Sequence, residues 1–365
     1  MTKVLDTVRA RQDALRDQWL RLPRVAKWVV GLAAIVFFYA LPNLQIPGLN
    51  TTETDWATTL FTVSYYVLLA LGLNIVVGKA GLLDLGYVGF FALGAYTVGQ
   101  LTSPDSDLGT NWGWLAAVPV AVVVVMISGV LLGWPTLRLR GDYLAIVTLG
   151  FAEIIRVVAQ AWPFMRGQRG LGSIPHPPGQ KADGTPLFGV IDARPYYWLG
   201  LSLILIVIVA ARNLDRSRVG RAWVAVREDE EAAEAMGVPT FRFKLWAFAI
   251  GAAIGGLSGT LFAGTLGFIN SQNFALFFSI LVLAGVVLGG SGNIAGVIVG
   301  GALIAYLPER LRGVQIAGQD AFEYRFLFFG LILMLVMIFR PQGLIPNRRR
   351  SLELKDRAKE VTVGE

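Results

Sequence analysis

The strongest constraint in this sequence is a series of apolar runs near the length that crosses a bilayer. A transmembrane helix needs roughly 17 to 25 predominantly apolar residues. The chain of 365 residues contains ten candidate runs, and four of them, 28–41, 196–211, 294–308 and 326–340, are short. The other six runs cover residues 56–77, 81–101, 113–134, 143–162, 245–268 and 274–290. We therefore predict an all-α polytopic membrane protein with eight to ten transmembrane helices.

Composition supports a chain in contact with lipid. Hydrophobic residues make up 55% of the sequence and charged residues 16%, whereas soluble domains carry about 25% charge. So few charges cannot cover a soluble globule of this size, and the apolar excess must face a bilayer.

The distribution of Lys and Arg predicts the orientation of the chain, because cytoplasmic loops collect positive charge. When sides alternate along the ten runs, 24 of the 32 basic residues fall on one side, seven fall on the other, and Arg156 lies within a run. Both termini are therefore predicted to be cytoplasmic, in a multi-pass protein of the cell membrane.

The predicted organisation is a cytoplasmic basic arm at 1–27, a transmembrane domain at 28–340 and a cytoplasmic basic tail at 341–365. The longer loops are external at 163–197 and cytoplasmic at 212–244.

Residue content alone argues against several kinds of chemistry, so we expect no catalytic residue and no metal site. The chain has no cysteine and one histidine, His176, which we expect in a solvated loop. No phosphate-binding loop is present, since Gly78-Lys79 is followed by alanine, and the chain is not expected to hydrolyse ATP. We interpret the net charge of +7 as a topology signal, with no nucleic-acid partner.

Small residues recur every four positions along the run 245–268. Gly251, Gly255 and Gly259 are continued by Ala263 and Gly267, which predicts a groove where another helix backbone approaches closely. A flexible lining of a transport path is the alternative. The same spacing occurs at Gly296 and Gly300. The nearby Gly290-Ser-Gly292 matches a loose dinucleotide fingerprint, but without a strand before it a tight connection between two spans fits better.

One cytoplasmic segment has the features of a short helix. In Arg227-Glu-Asp-Glu-Glu-Ala-Ala-Glu-Ala-Met-Gly-Val-Pro239 the acidic residues suit a helix N-terminus, Gly237 suits a C-terminal cap, and Pro239 prevents continuation. We predict a helix over 228–236, too short to be stable alone and suited to a partner's groove. A solvated charged loop is the alternative interpretation.

Longer stretches resemble one family of transporters. Glu231-Ala-Ala233 followed by Gly237 is similar to the signature of the helix by which ABC-importer permeases contact their ATPases. The chain also resembles the LivM-type permeases of branched-chain amino-acid ABC importers, in the same order from about Trp56 to Pro346. The stretches that carry this resemblance are Gly81-Leu-Leu-Asp-Leu-Gly-Tyr-Val-Gly-Phe-Phe-Ala-Leu-Gly-Ala-Tyr96, Gly141-Asp-Tyr-Leu-Ala-Ile-Val-Thr-Leu-Gly-Phe151, Gly220-Arg-Ala-Trp-Val-Ala-Val-Arg-Glu-Asp-Glu230 and Phe339-Arg-Pro-Gln-Gly-Leu-Ile-Pro346.

The resemblance implies a transporter composed of several subunits. It implies a LivH/LivM-type fold, a second LivH-type permease, two cytoplasmic ATPases that bind ATP and Mg, and an extracytoplasmic substrate-binding protein. This chain would hold no cofactor. The implied contact with the ATPase comprises Arg227, Glu228, Asp229, Glu230, Glu231, Ala232, Ala233 and Gly237. A permease for urea or another small polar solute is the alternative within the class. An ion-coupled secondary transporter and a non-transporting scaffold are alternatives outside it.

Polar residues within the spans are candidates for the translocation path, because ionisable groups at a helix centre are costly. Glu153 and Arg156 lie one turn apart, where they either neutralise each other as a link between helices or line the path. Asp84 is expected near the cytoplasmic end of the third span. The remaining candidates are Asn74, Tyr87, Tyr96 and Thr148.

Overall fold

The computed structural model describes residues 23–44, 55–138, 142–181, 184–189, 192–316, 319–340 and 342–345. The predicted terminal segments 1–27 and 341–365 lie almost wholly outside these ranges. The chain divides into two units, one within residues 1–50 and one within 51–365. The first contains α1, Arg24–Ala40, followed by a 3₁₀ turn at Leu41–Asn43.

The second unit is mainly helical within the described residues. Its helices are α2, Trp56–Leu73; α3, Tyr87–Thr102; α4, Trp114–Thr136; α5, Asp142–Ala161; α6, Arg194–Arg216; α7, Arg218–Glu228; α8, Glu230–Ala235; α9, Thr240–Leu266; α10, Leu276–Gly289; α11, Ile294–Leu311; and α12, Arg325–Phe339. Short 3₁₀ turns occupy Pro163–Met165, Gly167–Arg169, Ser271–Phe274 and Ala321–Tyr324. The two-residue strands β1, Gln315–Ile316, and β2, Gln319–Asp320, pair antiparallel.

Eight helical stretches in the described part of the chain are long and apolar enough to cross a membrane. This number lies within the predicted range. The run predicted at 196–211 is a helix of 23 residues, because α6 continues to Arg216. The span predicted at 81–101 was wrong at its start, since 81–86 is not helical and α3 begins at Tyr87. The eight stretches are Trp56–Lys79, Trp114–Thr136, Tyr143–Ala161, Arg194–Arg216, Thr240–Leu266, Ser271–Gly289, Ile294–Leu311 and Ala321–Phe339.

Helix α9 lies at the centre of the bundle and packs on α2, α3 and α4. A Cβ atom added at Gly259 would lie 2.0 Å from the carbonyl oxygen of Phe91, and one at Gly251 would lie 2.4 Å from a methyl carbon of Val76. Gly255 faces the ring of Tyr87. The three glycines therefore sit where neighbouring helices approach closely.

The glycine series ends earlier than its spacing predicted. Gly267 has φ +67° and caps the C-terminus of α9, so the packed face stops at Ala263. Gly300 belongs to a second close contact, because a Cβ there would lie 2.0 Å from the carbonyl oxygen of Gly285. The tight connection predicted at Gly290–Gly292 is confirmed, with φ values of +114° and +87° at its two glycines.

The prediction of a solvated His176 was wrong. Its Nδ1 atom lies 2.8 Å from the carbonyl oxygen of Gly264 and 2.7 Å from the Tyr196 hydroxyl, and the side chain is partly buried. The loop that carries it also forms a β-bridge between Leu171 and Ile269. The proline-rich composition around His176 indicated only a loop. It could not indicate these contacts, because they join residues distant in sequence.

Candidate coupling site

The loop between α6 and α9 folds into two helices, α7 and α8. Ser217 caps α7, its Oγ atom accepting a hydrogen bond from the backbone N–H of Val219 at 3.1 Å. Only glycine fits at position 220, where a Cβ would lie 2.3 Å from the carbonyl oxygen of Leu214. The tight turn between α6 and α7 keeps α7 against the ends of the membrane helices.

Helix α8 is shorter than predicted, and Arg227 and Glu228 belong to α7. Asp229 separates the two helices in extended conformation, and its Oδ1 atom accepts a hydrogen bond from the backbone N–H of Ala232 at 2.9 Å. The predicted helix over 228–236 was therefore wrong at its start. Aspartate caps a helix N-terminus well, and here it starts a new helix instead of lying within one.

Gly237 ends α8 as predicted. It has φ +83°, and its N–H donates to the carbonyl of Glu234 at 2.9 Å. The N–H of Val238 donates to the carbonyl of Ala233 at 3.0 Å. This pair of bonds satisfies helix carbonyls that otherwise lack donors.

Most of α8 faces away from the bundle. Ala233 is buried, whereas Glu231, Ala232 and Glu234 are exposed. Met236 is 84% exposed, although exposing a large apolar side chain to water is energetically unfavourable. A short helix ending in an exposed methionine is suited to a complementary groove on another protein.

Three polar contacts fix α7 and α8 to the membrane helices. Lys244 of α9 forms an ion pair with Glu230 of α8. Arg227 donates a hydrogen bond to the carbonyl of Gly78, in the π-helix Asn74–Lys79 that continues α2. Trp223 is buried, and its Nε1 atom donates to the carbonyl of Phe243 at 2.7 Å. A displacement of α8 would therefore reach α9 directly and the end of α2 through α7.

A fourth contact fixes α6 to the same π-helix. Lys79 Nζ lies 2.7 Å from Asp215 Oδ2, and the two side chains are 17% and 31% exposed. Sequence reasoning missed Lys79, Asp215, Trp223 and Lys244 as parts of this site. Their partners are distant along the chain, and the one available signal was that Trp223 does not lie at the end of an apolar run.

We expect Lys79→Gln and Asp215→Asn each to lower the melting temperature, whereas the exchange of Lys79→Asp with Asp215→Lys should restore part of the loss. A partly exposed ion pair contributes about 1 kcal/mol. A double-mutant cycle on the detergent-solubilised protein measures this coupling. Strictly additive effects of the two single substitutions would contradict a direct interaction.

The structure spreads the six path candidates along the bundle. Asn74 Oδ1 accepts a hydrogen bond from the backbone N–H of Gly292 at 2.7 Å, beside the turn between α10 and α11. Tyr87 donates to the carbonyl of Gly251 at 2.7 Å. Tyr96 packs on Phe274 near the other end of α3, with ring centroids 5.5 Å apart. A role for these residues in the path stays a prediction.

Thr148 and Asp84 meet beside the N-terminus of α3. Thr148 Oγ1 accepts a hydrogen bond from the backbone N–H of Leu85 at 3.1 Å, and Asp84 Oδ1 accepts one from Gly86 at 2.9 Å. Asp84 is buried in the non-helical segment 81–86, directly before α3 and not within a helix. Gly81, with φ +73°, starts this departure from helical geometry.

Glu153 and Arg156 form the predicted pair on α5. Arg156 Nη2 lies 2.5 Å from Glu153 Oε1, and the two side chains are 29% and 40% exposed, in that order. The pair neutralises itself within one helix. This contact supports neither of the two roles predicted for the pair, a link between helices or a lining of the translocation path.

These features together define a class of protein. A bundle of membrane-spanning helices carries at one end a short exposed helix that is fixed to several spans, and this is the architecture of a transporter permease subunit. The family of permease components of branched-chain amino acid transport systems matches residues 56–337. The chain belongs to this family.

Individual relatives agree with the family match. The high-affinity branched-chain amino acid transport permease LivM of Salmonella typhimurium is 40% identical over 342 residues, which cover 89% of this chain and 76% of that protein. LivM of Escherichia coli is 40% identical over 311 residues, 80% of this chain and 70% of that protein. A more distant relative, the autoinducer 2 import permease LsrC of Yersinia enterocolitica, is 26% identical over 314 residues, 84% of this chain and 81% of that protein.

Proposed function

We propose that the chain is the LivM-type permease subunit of an ATP-driven importer for branched-chain amino acids. It lies in the cell membrane with both termini in the cytoplasm and forms the translocation path with a second, LivH-type permease. Two cytoplasmic ATPases bind ATP and Mg, and an extracytoplasmic protein delivers the amino acid. This subunit has no ATPase site and holds no cofactor. The 40% identity to the two LivM permeases supports the substrate class.

The exposed helix α8 is the observation that carries the proposed coupling role. Closure of the ATPase dimer moves α8 together with the end of α7. The proposed contact with the ATPases comprises Arg227, Glu228, Asp229, Glu230, Glu231, Ala232, Ala233 and Gly237. The ion pair of Glu230 with Lys244 passes the movement to α9, and the bond from Arg227 to Gly78 passes it to the end of α2. Rigid helices then open the path toward the outside.

Transport energetics test this proposal. In proteoliposomes containing the complete complex, leucine uptake should require ATP inside and binding protein outside. An uncoupler should leave the uptake unchanged, because no ion gradient drives it. Uptake that survives ATP depletion but stops with an uncoupler would instead indicate an ion-coupled secondary transporter.

A different substrate within the same class is the second candidate. The 26% identity to an autoinducer 2 import permease supports the use of this fold for a solute other than a branched-chain amino acid. Urea is the alternative solute that we consider. Competition of leucine uptake by isoleucine and valine, without competition by urea, supports the amino-acid assignment. Uptake of urea in place of leucine would contradict it.

A further inference from the structure

A cavity of about 220 Å³ opens at the end of the bundle opposite to α7 and α8. Helix α11 begins beside the turn that Asn74 holds and ends at Leu311, where the cavity lies. The walls are the first half of α2, the last turns of α11, the turn at Ala321–Tyr324 and the start of α12. Since an apolar cavity of about 150 Å³ holds benzene, this volume suits a solute of about nine non-hydrogen atoms.

One wall of the cavity carries charges of both signs. Glu309 Oε2 lies 3.4 Å from Arg312 Nε, and the Glu309 side chain is only 14% exposed. The Arg325 guanidinium lies 4.2 Å from the ring centroid of Phe322 and donates a hydrogen bond to the Phe322 carbonyl at 3.1 Å. The Arg312 guanidinium lies 4.6 Å from the same ring. The Phe322 ring therefore contacts both guanidinium groups, and one of them, that of Arg312, pairs with Glu309.

These charges suit a ligand that is itself a zwitterion. The two arginines and one glutamate give the wall a net positive charge, and a guanidinium binds a carboxylate through two parallel hydrogen bonds. The Glu309 carboxylate is an anionic acceptor suited to an ammonium group.

Part of the remaining wall is apolar, beside the hydroxyl-bearing residues Thr62, Tyr65 and Tyr66. Ile304, Ala305, Leu281 and Phe329 line the cavity beside the charged groups. Ile304 and Ala305 are almost fully buried, and Phe329 is 7% exposed. A branched aliphatic side chain placed here would lose its contact with water and gain dispersion contacts.

We propose that this cavity is a binding site for a free amino acid with a branched apolar side chain. Arg325 and Arg312 bind its carboxylate, Glu309 binds its ammonium group, and Ile304, Ala305 and Phe329 contact its side chain. The proposal rests on the proposed function, in which this end of the bundle faces the outside. The cavity then receives the amino acid on its way from the delivery protein into the path.

The test uses the complete complex in proteoliposomes and measures leucine uptake together with ATP hydrolysis stimulated by leucine-loaded binding protein. Glu309→Gln should lower uptake at least tenfold and leave stimulated hydrolysis within twofold, because the ATP sites are on other subunits. The matched control is Glu323→Gln, which removes an exposed carboxylate from the same end without changing the cavity wall.

Arg325→Lys should also lower uptake about tenfold, because an ammonium lacks the planar fork of a guanidinium. Arg310→Lys is its control.

Selectivity separates a binding role from a structural one. Ala305→Leu adds a side chain inside the cavity and should lower leucine uptake at least fivefold more than valine uptake. Structural damage would lower both equally.

Uptake by Glu309→Gln and Arg325→Lys equal to that of their controls would overturn the inference and leave the proposed function standing. Absence of ATP-driven leucine uptake in the unmodified complex would contradict the proposed function, and the inference would fall with it. Phosphatidylethanolamine retained by the unmodified complex but lost from Glu309→Gln, with leucine uptake unchanged, would assign the cavity to a lipid headgroup and overturn the inference.

Discussion

Replacement of Gly237 by proline is expected to abolish ATP-driven uptake while the subunit still inserts into the membrane. Proline holds φ near −65° and has no N–H, whereas Gly237 has φ +83° and donates to the carbonyl of Glu234. The last turn of α8 would open, and Met236 would leave its place at the end of the helix. The measurements are leucine uptake in proteoliposomes and the amount of subunit in the membrane fraction.

Asparagine at position 237 is the matched control. It adopts the left-handed backbone conformation more readily than other non-glycine residues, and a Cβ at this position meets no atom within 4 Å. Gly237→Asn should therefore retain most of the uptake. The uptake of Gly237→Ala should lie between that of the asparagine and the proline variants. Full transport by the proline variant would exclude α8 as the coupling element.

Replacement of Gly259 by alanine is expected to destabilise the helix bundle severely. The new methyl group would lie 2.0 Å from the Phe91 carbonyl oxygen, so α9 and α3 would have to separate. Overpacking of this kind costs about 3 kcal/mol or more, which corresponds to a fall in melting temperature of roughly 5 to 10 °C. Thermal unfolding of the detergent-solubilised subunit, monitored by loss of the monodisperse peak, measures the change.

Gly150→Ala on α5 makes the same chemical change without the contact, since a Cβ there meets no atom within 4 Å. Alanine is the better helix former, so this variant should be unchanged or slightly more stable. Equal melting temperatures for the two variants would show that α9 and α3 are not packed as closely as described.

Features set by local chemistry could be predicted from the sequence. The apolar runs indicated the spans, and Gly237 indicated the end of α8, because a run length and a left-handed cap each depend on a few consecutive residues. The start of α8 could not be predicted. Asp229 is equally compatible with the first turn of a helix and with a cap, and the choice depends on how α7 packs through Trp223.

Contacts between distant residues explain the remaining errors. His176 lies against Gly264 and Tyr196, and Lys79 pairs with Asp215, although nothing near either residue in sequence indicates a partner. A contact between distant residues also explains why the segment 81–86, which precedes α3, is not helical. The segment 81–86 remains apolar like a span, and its departure from a helix is supported by Thr148 of α5, whose hydroxyl accepts the N–H of Leu85.

The helices differ in what determines their position in the membrane. In α9 67% of the apolar stretch is buried inside the protein, whereas only 6% of the stretch at Ala321–Phe339 is buried, although both are apolar enough to insert. Membrane proteins fold by insertion of individual helices followed by their association. For α9 the second step contributes most of the contacts, so its sequence is constrained by the shapes of its neighbours. For α12 insertion contributes most, so its hydrophobic residues outside the cavity wall exchange at little cost as long as the helix partitions into lipid.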